Sequence, residues 1–195
     1  ATARRCLLTL HHGGYANYDG KFFSLTPRAL RLGLGALSAM PLPQIVQPWL
    51  DQLAEQIGQS CSVSILDGTE IIYIARAAQK RVMSIGLMPG SRLPAHCTSM
   101  GRVLLARLSP DALDRWLDAH PPPAMTPRTL VDPAALRAEL DRVRAEECAL
   151  IDEEMQIGIR SCAVPILGRG GRVVAGLAAS VSSARAEPGR LRDTL

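Results

Sequence analysis

Cys61-Ser-Val-Ser-Ile-Leu-Asp-Gly-Thr-Glu-Ile-Ile-Tyr-Ile-Ala-Arg76 contains two β-prone runs, Cys61 to Leu66 and Glu70 to Arg76. Asp67-Gly68 separates them, a dipeptide whose tolerance of positive φ suits a tight hairpin turn. So short a connection permits only an antiparallel pair. The same signature returns late in the chain, where strands expected near 160–167 and 172–181 flank Gly168-Arg-Gly-Gly-Arg172. A further strand is expected near 148–152 and another over Arg81 to Leu87. Helical periods lie between and before these runs. Ile45, Val46, Trp49, Leu50, Leu53 and Ile57 share one helix face, and Ser109-Pro110 and Asp132-Pro133 pair a cap with a first-turn proline, opening helices near 110–119 and 133–147. Strands joined by short turns, with helices between, predict an α+β domain over 41–195: a mostly antiparallel sheet flanked by helices.

The chain has 195 residues, 47% hydrophobic and 21% charged, enough for a domain with a sizeable core and unlike a disordered chain. The most apolar window, Val173 to Val181, is strand-sized, so no membrane span is expected. No secretory signal pattern opens the sequence, which predicts a cytoplasmic protein. Five scattered cysteines, at 6, 61, 97, 148 and 162, show neither C-x-x-C nor zinc-ligand spacing and read as reduced thiols. Neither metal nor cofactor is called for.

The net charge of +4 is unevenly placed. Residues 1–32 hold Arg4, Arg5, Lys21, Arg28 and Arg31 against Asp19 alone, while the remainder carries 17 basic and 17 acidic groups. A small polyanion-binding module joined to a neutral domain has this distribution. Ala1 to His12 reads as a helix ended by Gly13-Gly14, followed by two short β-prone runs around Asp19-Gly20. Helix then hairpin is how a winged helix-turn-helix ends, over 1–25; it is equally a solvated amphipathic helix with an ordinary hairpin. Thr26-Pro27 opens a linker helix carrying Leu30, Leu34 and Leu37, assigned to 26–40, which Pro41 and Pro43 are expected to break.

Most of the chemistry lies in Pro89-Gly-Ser-Arg-Leu-Pro-Ala-His-Cys-Thr-Ser-Met-Gly-Arg-Val-Leu-Leu105, a Gly/Pro-rich loop running into a helix that Thr98 or Ser99 caps. A helix start offers unpaired N–H groups to a carboxylate, although a plain capped helix explains the pattern too. Along 173–181 one strand face tapers to Gly176, Ala178 and Ser180, which either packs tightly on a helix or leaves a cavity. His96-Cys97 invites an enzyme reading, but neighbours in an extended segment point to opposite faces. Asp152-Glu153-Glu154 reads more simply as a solvated strand end than as a metal or acid/base cluster. The chain is not expected to be an enzyme.

As a set, Thr2-Ala-Arg-Arg-Cys-Leu-Leu-Thr-Leu, Asp19-Gly20, Leu25-Thr-Pro-Arg-Ala-Leu-Arg-Leu-Gly33, His96-Cys-Thr-Ser-Met-Gly-Arg102 and Asp152-Glu-Glu-Met-Gln-Ile-Gly-Ile-Arg160 closely resemble the IclR family of bacterial transcriptional regulators, in particular members controlling aromatic-acid catabolism. The resemblance implies a partial winged helix-turn-helix, a linker helix and an effector-binding domain, acting as a homodimer or tetramer. It assigns Thr2, Arg4, Arg5 and Lys21 to operator DNA, bound by a full-length protein that includes the earlier helices of the DNA-binding fold. It implies an effector site of Leu93, Ser99, Met100, Ser161, Ala178 and Ser180, with Asp152 beside it, for a small, aromatic carboxylic acid; Ile85 is expected to flank the apolar body of that acid, and His96 either lines the pocket or sits satisfied in the core. The alternatives are a stand-alone small-molecule sensor working through protein contacts, and an enzyme using His96 and Cys97.

Overall fold

The computed structural model describes residues 2–78 and 86–184. In chain order the elements are α1 (Thr2–His12), β1 (Ala16–Tyr18), β2 (Phe23–Leu25), a 3-10 turn (Pro27–Ala29), α2 (Leu30–Ala39), α3 (Pro41–Ile57), β3 (Ser60–Asp67), β4 (Glu70–Ala77), β5 (Arg92–Pro94), α4 (Ser99–Leu105), α5 (Pro110–Ala119), α6 (Pro133–Glu146), β6 (Ala149–Asp152), β7 (Ile159–Leu167) and β8 (Val173–Ser182). They form two compact units, residues 1–44 and 45–195. No single described helix is long and apolar enough to cross a membrane.

In the first unit, α1 ends where Gly14 takes φ +75°, a conformation glycine enters without a Cβ penalty. The hairpin of β1 and β2 turns at Asp19-Gly20 as expected. The Asp19 carboxylate accepts the N–H groups of Lys21 (2.8 Å) and Phe22 (2.7 Å), and these bonds hold its pKa below the ordinary value. Thr26 donates its hydroxyl to the Gly14 carbonyl and makes no side-chain cap, so the linker begins as a 3-10 turn before α2. Pro41 ends α2, whereas Pro43 lies within the first turn of α3 and breaks nothing. Met40 is extended (ψ 121°), as the residue before a proline prefers, and Pro41 then opens α3, where a missing N–H costs nothing.

The second unit is built on a six-stranded sheet of order β5-β4-β3-β8-β7-β6, with every neighbouring pair antiparallel. Its topology is the expected α+β. The strand expected over Arg81 to Leu87 falls largely outside the described residues. β5, within the stretch read as a loop, is a three-residue edge strand, too short to show a period; its Pro94 is tolerated because an edge leaves N–H groups outside the ladder.

Helix α4 lies on one sheet face against β7 and β8, with α6 packed against it. Val103, Leu104 and Leu105 join Leu113, Trp116 and Leu117 of α5, Leu136, Leu140 and Val143 of α6, and Ala149, Ala163 and Ala178 of the sheet in one core. Each large side chain there contributes roughly 1.5–3 kcal/mol of burial. Ser109 and Asp132 cap α5 and α6 by accepting the N–H groups of Ala112 and Ala135, ahead of Pro110 and Pro133, as their spacing predicts. The opposite sheet face is buried along its middle at Cys61, Val63, Ala75, Cys162 and Ala179, and α3 buries Leu50 and Ala54.

Two glycines set how closely α4 approaches. A Cβ on Gly101 would stand 2.1 Å from the Ala95 carbonyl oxygen, and one on Gly176 would stand 3.1 Å from Met100 Cβ. The close approach at Gly101 is backbone to backbone. Gly101→Ala should therefore destabilise the second unit by about 3 kcal/mol or more, and Gly176→Ala by about 1 kcal/mol, because a Cβ at Gly101 would overlap the Ala95 backbone outright, whereas the Met100 atoms 3.1 and 3.2 Å from a Cβ at Gly176 need yield only slightly. Urea unfolding followed by tryptophan fluorescence measures both; equal costs would contradict this packing.

Candidate functional site

Register decides which side chains face α4. β3 pairs β8 through Ser60↔Ser180, Ser62↔Ala178 and Ser64↔Gly176, and β7 pairs β8 through Ser161↔Ser180 and Ala163↔Ala178. Because side chains alternate between faces, all of these lie on the α4 side. Ser60, Ser180 and Ser161 thus form a row of hydroxyls across three strands.

β4 adds two groups by breaking its own alternation. Its register against β3 runs Ser64↔Tyr73, then Val63↔Ala75 and Ser62↔Arg76, leaving Ile74 as the extra residue of a β-bulge. Residues 73 and 76 would face opposite sides of a regular strand. The bulge resets the parity, so both face α4.

These groups line a cavity of about 80 Å³ together with Leu93, Ser99, Met100, Met155, Gln156, Ile159 and Ala178. Its walls are chiefly apolar, its neutral polar groups are hydroxyls and the Gln156 amide, and Arg76 supplies positive charge. Arg76 Nη1 donates to Ser62 Oγ at 3.2 Å, and its backbone carbonyl accepts Gln47 Nε2 of α3 at 3.1 Å. Burial pushes the Tyr73 phenol above its ordinary pKa, more than Arg76 pulls it down, so at neutral pH it is a protonated donor. Thr98 does not cap α4 by its side chain; its hydroxyl donates instead to the Pro94 carbonyl at 3.0 Å. The start of α4 at Ser99 and Met100 borders the cavity.

Of the residues proposed from sequence, Leu93, Ser99, Met100, Ser161, Ala178 and Ser180 come together here. Ile85 lies outside the described residues. His96 and Asp152 are placed elsewhere. The His96 ring is buried with Nε2 2.9 Å from the Pro123 carbonyl, which makes Nε2 the protonated nitrogen. Burial lowers its pKa more than this bond raises it, keeping the imidazole neutral. Asp152 pairs in register with Arg160 on the far sheet face. Its carboxylate accepts Arg160 Nε and Arg128 Nη1, and the Arg160 bond is the main cause of its lowered pKa.

Cys97 is fully buried, and desolvation pushes its thiol up to about 12, so it is protonated and lies against Met155 Sδ at 3.6 Å. Among the described residues no group of three metal-ligating side chains comes together. In the first unit, Thr2, Arg4, Arg5 and Lys21 are all exposed. Arg4 Nη2 reaches Tyr18 Oη at 3.4 Å, linking α1 to the hairpin.

Sequence reading missed Tyr73, Arg76 and Ser60. The alternation of Ser60, Ser62 and Ser64 with Cys61, Val63 and Ile65 marks the hydroxyl face. No local signal announces the bulge, so counting by twos puts Tyr73 and Arg76 on opposite sides.

Residues 34–195 match the family described as bacterial transcriptional regulator IclR C-terminal. The Pca regulon regulatory protein of Pseudomonas putida is 44% identical over 95% of the chain, which spans 64% of that relative. The p-hydroxybenzoate hydroxylase transcriptional activator of Acinetobacter baylyi is 35% identical over 98% of the chain and 72% of its own length. The inducer-binding domain of PobR from Acinetobacter, a double mutant solved with 3-hydroxybenzoic acid, superposes with a TM-score of 0.74 at 32% identity, over 80% of this chain and 95% of that one. The chain spans just under two thirds of the Pseudomonas relative. With that match running from α2 through β8, the chain belongs to the IclR family of bacterial transcriptional regulators.

Proposed function

We propose that the cavity binds a small aromatic carboxylic acid and that the protein of which this chain is part is a cytoplasmic regulator that couples this binding to operator DNA. The observation that carries the reading is one cationic side chain beside a phenol and a row of serines in an otherwise apolar cavity. Such a cavity suits an aromatic ring with an acid at one end and polar substituents elsewhere.

Two anchors compete for the carboxylate. A hydrogen bond to a charged group contributes about 1.5–3 kcal/mol, whereas a helix terminus typically contributes about 0.3–1 kcal/mol. Arg76 therefore takes the carboxylate, with Tyr73 as a second donor. This differs from the reading of the sequence, which put the acid at Ser99 and Met100; those positions instead face the remainder of the ligand. Ser161 and Ser180, adjacent across two strands, read a ring substituent together, while Leu93, Met100 and Ile159 flank the ring. Ala178 keeps room for it.

Turnover has no support in these groups: Cys97 is a protonated buried thiol, the His96 ring is held by Pro123, and Asp152 is committed to two arginines. The relatives named above are regulators, in keeping with a binding role. Exposed Thr2, Arg4 and Arg5 at the start of α1, with Lys21 in the hairpin, fit a surface that meets DNA phosphates and base edges. Homo-oligomerisation, as a dimer or tetramer, belongs to the same reading. Leu30, Leu32 and Leu34 of α2 are exposed and offer it an apolar surface.

Calorimetric titration with 3-hydroxybenzoate tests the cavity. Arg76→Met should weaken binding at least tenfold, and Ala178→Leu should abolish it by filling the ring position, both with unchanged circular dichroism. Ser99→Asp should cost less than Arg76→Met; the reverse order would move the carboxylate to α4, and undiminished binding in Arg76→Met and Ala178→Leu would place the ligand elsewhere.

For DNA, a full-length protein carrying Arg4→Ala, Arg5→Ala and Lys21→Ala should bind its operator more weakly. The slope of log K against log salt should fall by roughly 0.9 for each phosphate that is no longer neutralised. An unchanged slope and affinity would remove this face from the interface.

A further inference from the structure

Two thiols outside the cavity lie close together. Cys148, between α6 and β6, has its Sγ 3.1 Å from Sγ of Cys162 in β7. A disulfide bond is about 2.05 Å long, so roughly 1 Å separates the pair from bonding distance. Register explains the approach. Leu150 is opposite Cys162, and Cys148 stands two residues before Leu150 on the same face, making a diagonal cross-strand pair.

Their surroundings differ. Cys162 is fully buried, whereas Cys148, 8% exposed, borders a groove lined also by Leu150, Arg142 and Glu146. Among the described residues the other cysteines have no comparable thiol neighbour: Cys61 and Cys97 are buried thiols raised to about 11 and about 12 by desolvation, and Cys6 is exposed.

We infer that Cys148 and Cys162 are a reversible redox pair, oxidised by a hydroperoxide to an intramolecular disulfide. The Cys148 thiolate attacks one peroxide oxygen and the O–O bond breaks. In hydrogen peroxide the other oxygen leaves as hydroxide, which the displaced thiol proton converts to water, and Cys148 becomes a sulfenic acid. Cys162 sulfur then attacks the Cys148 sulfur; the S–S bond forms, the S–O bond breaks, and the departing hydroxide takes the Cys162 proton. Two thiols lose two electrons in total, and the peroxide yields two waters.

The bond would staple the base of a functional hairpin. β6, the turn after it and the start of β7 lie within the closed loop, and that loop supplies Met155, Gln156, Ile159 and Ser161 to the cavity. The thiol chemistry itself does not depend on what the cavity binds.

Peptide mapping of the chain after hydrogen peroxide, then alkylation under denaturing conditions, decides the matter, with exposed Cys6 as an internal gauge of oxidant dose. At doses that oxidise Cys6, the Cys148 and Cys162 peptides should appear joined, two hydrogens lighter than the reduced pair, and separate on treatment with dithiothreitol. Cys162→Ala should abolish the link and leave a Cys148 sulfenic acid that dimedone traps. Full alkylation of both thiols in the parent protein would overturn the inference, as would Cys148 joined mainly to another cysteine or persisting as a sulfenate beside an intact Cys162.

Discussion

One buried cation organises the second unit. The Arg102 side chain is 2% exposed, yet its guanidinium donates to the His96 carbonyl at 2.8 Å and to Glu154 at 2.5 Å and faces Glu139 of α6 at 3.5 Å. Glu154 in turn accepts the Leu130 N–H at 3.0 Å. The approach to α4, the β6–β7 turn, α6 and the segment before it therefore meet at one charge cluster. Such a cluster contributes modest net stability compared with a well-packed apolar replacement. Removing one partner instead strands a buried charge at a cost of about 3–5 kcal/mol. Its main consequence is geometric: α4 and the turn can satisfy Arg102 in one arrangement.

The cavity inherits that arrangement. Thr126 Oγ1 donates to the Glu153 carbonyl at 2.8 Å, and Thr129 Oγ1 donates to the Glu154 carbonyl at 2.7 Å, so the backbone leading into Met155 and Gln156 is tied to the segment before α6. Glu153 sits at φ +61°, a conformation that costs a non-glycine residue on the order of 1 kcal/mol or more. These neighbouring bonds offset that cost. Met155 and Gln156 thus reach the cavity from a fixed turn, while Arg76, Tyr73 and the serines reach it from the sheet. A site whose walls are ordered before binding loses less entropy when a small ligand arrives.

How much of this was legible from sequence follows from the range of the signals. Helix caps and hairpin turns are local, so α5 and α6 and the turns at Asp19-Gly20 and Asp67-Gly68 could be read directly. The small-residue face of β8 was legible as a face, because alternation needs only the strand itself. Which partner it met was not: Gly176 receives Met100, and Ala178 lines the cavity that the start of α4 borders. His96 and Asp152 illustrate the same limit. Both lie near cavity residues in sequence, but Asp152 follows Ile151 by one position and so takes the other sheet face, and His96 turns toward a carbonyl 27 residues away. The bulge at Ile74 is a property of two strands in register, and it alone put Arg76 and Tyr73 on one side.

The first unit is stabilised on different terms. Neither α1 nor α2 buries a residue, and helices of about ten residues are marginal without packing. Gly33 and Gly35 weaken α2 further, by roughly 1 kcal/mol each relative to alanine, while neither glycine has a neighbour within 4 Å that would require it. Leu30, Leu32 and Leu34 stay more than half exposed. A helix with poor intrinsic propensity and an uncovered apolar surface draws its order from contacts beyond its own residues. In the proposed dimer or tetramer a second copy would supply them, and the stability of α2 would then depend on protomer concentration, as it does for any element that folds by association.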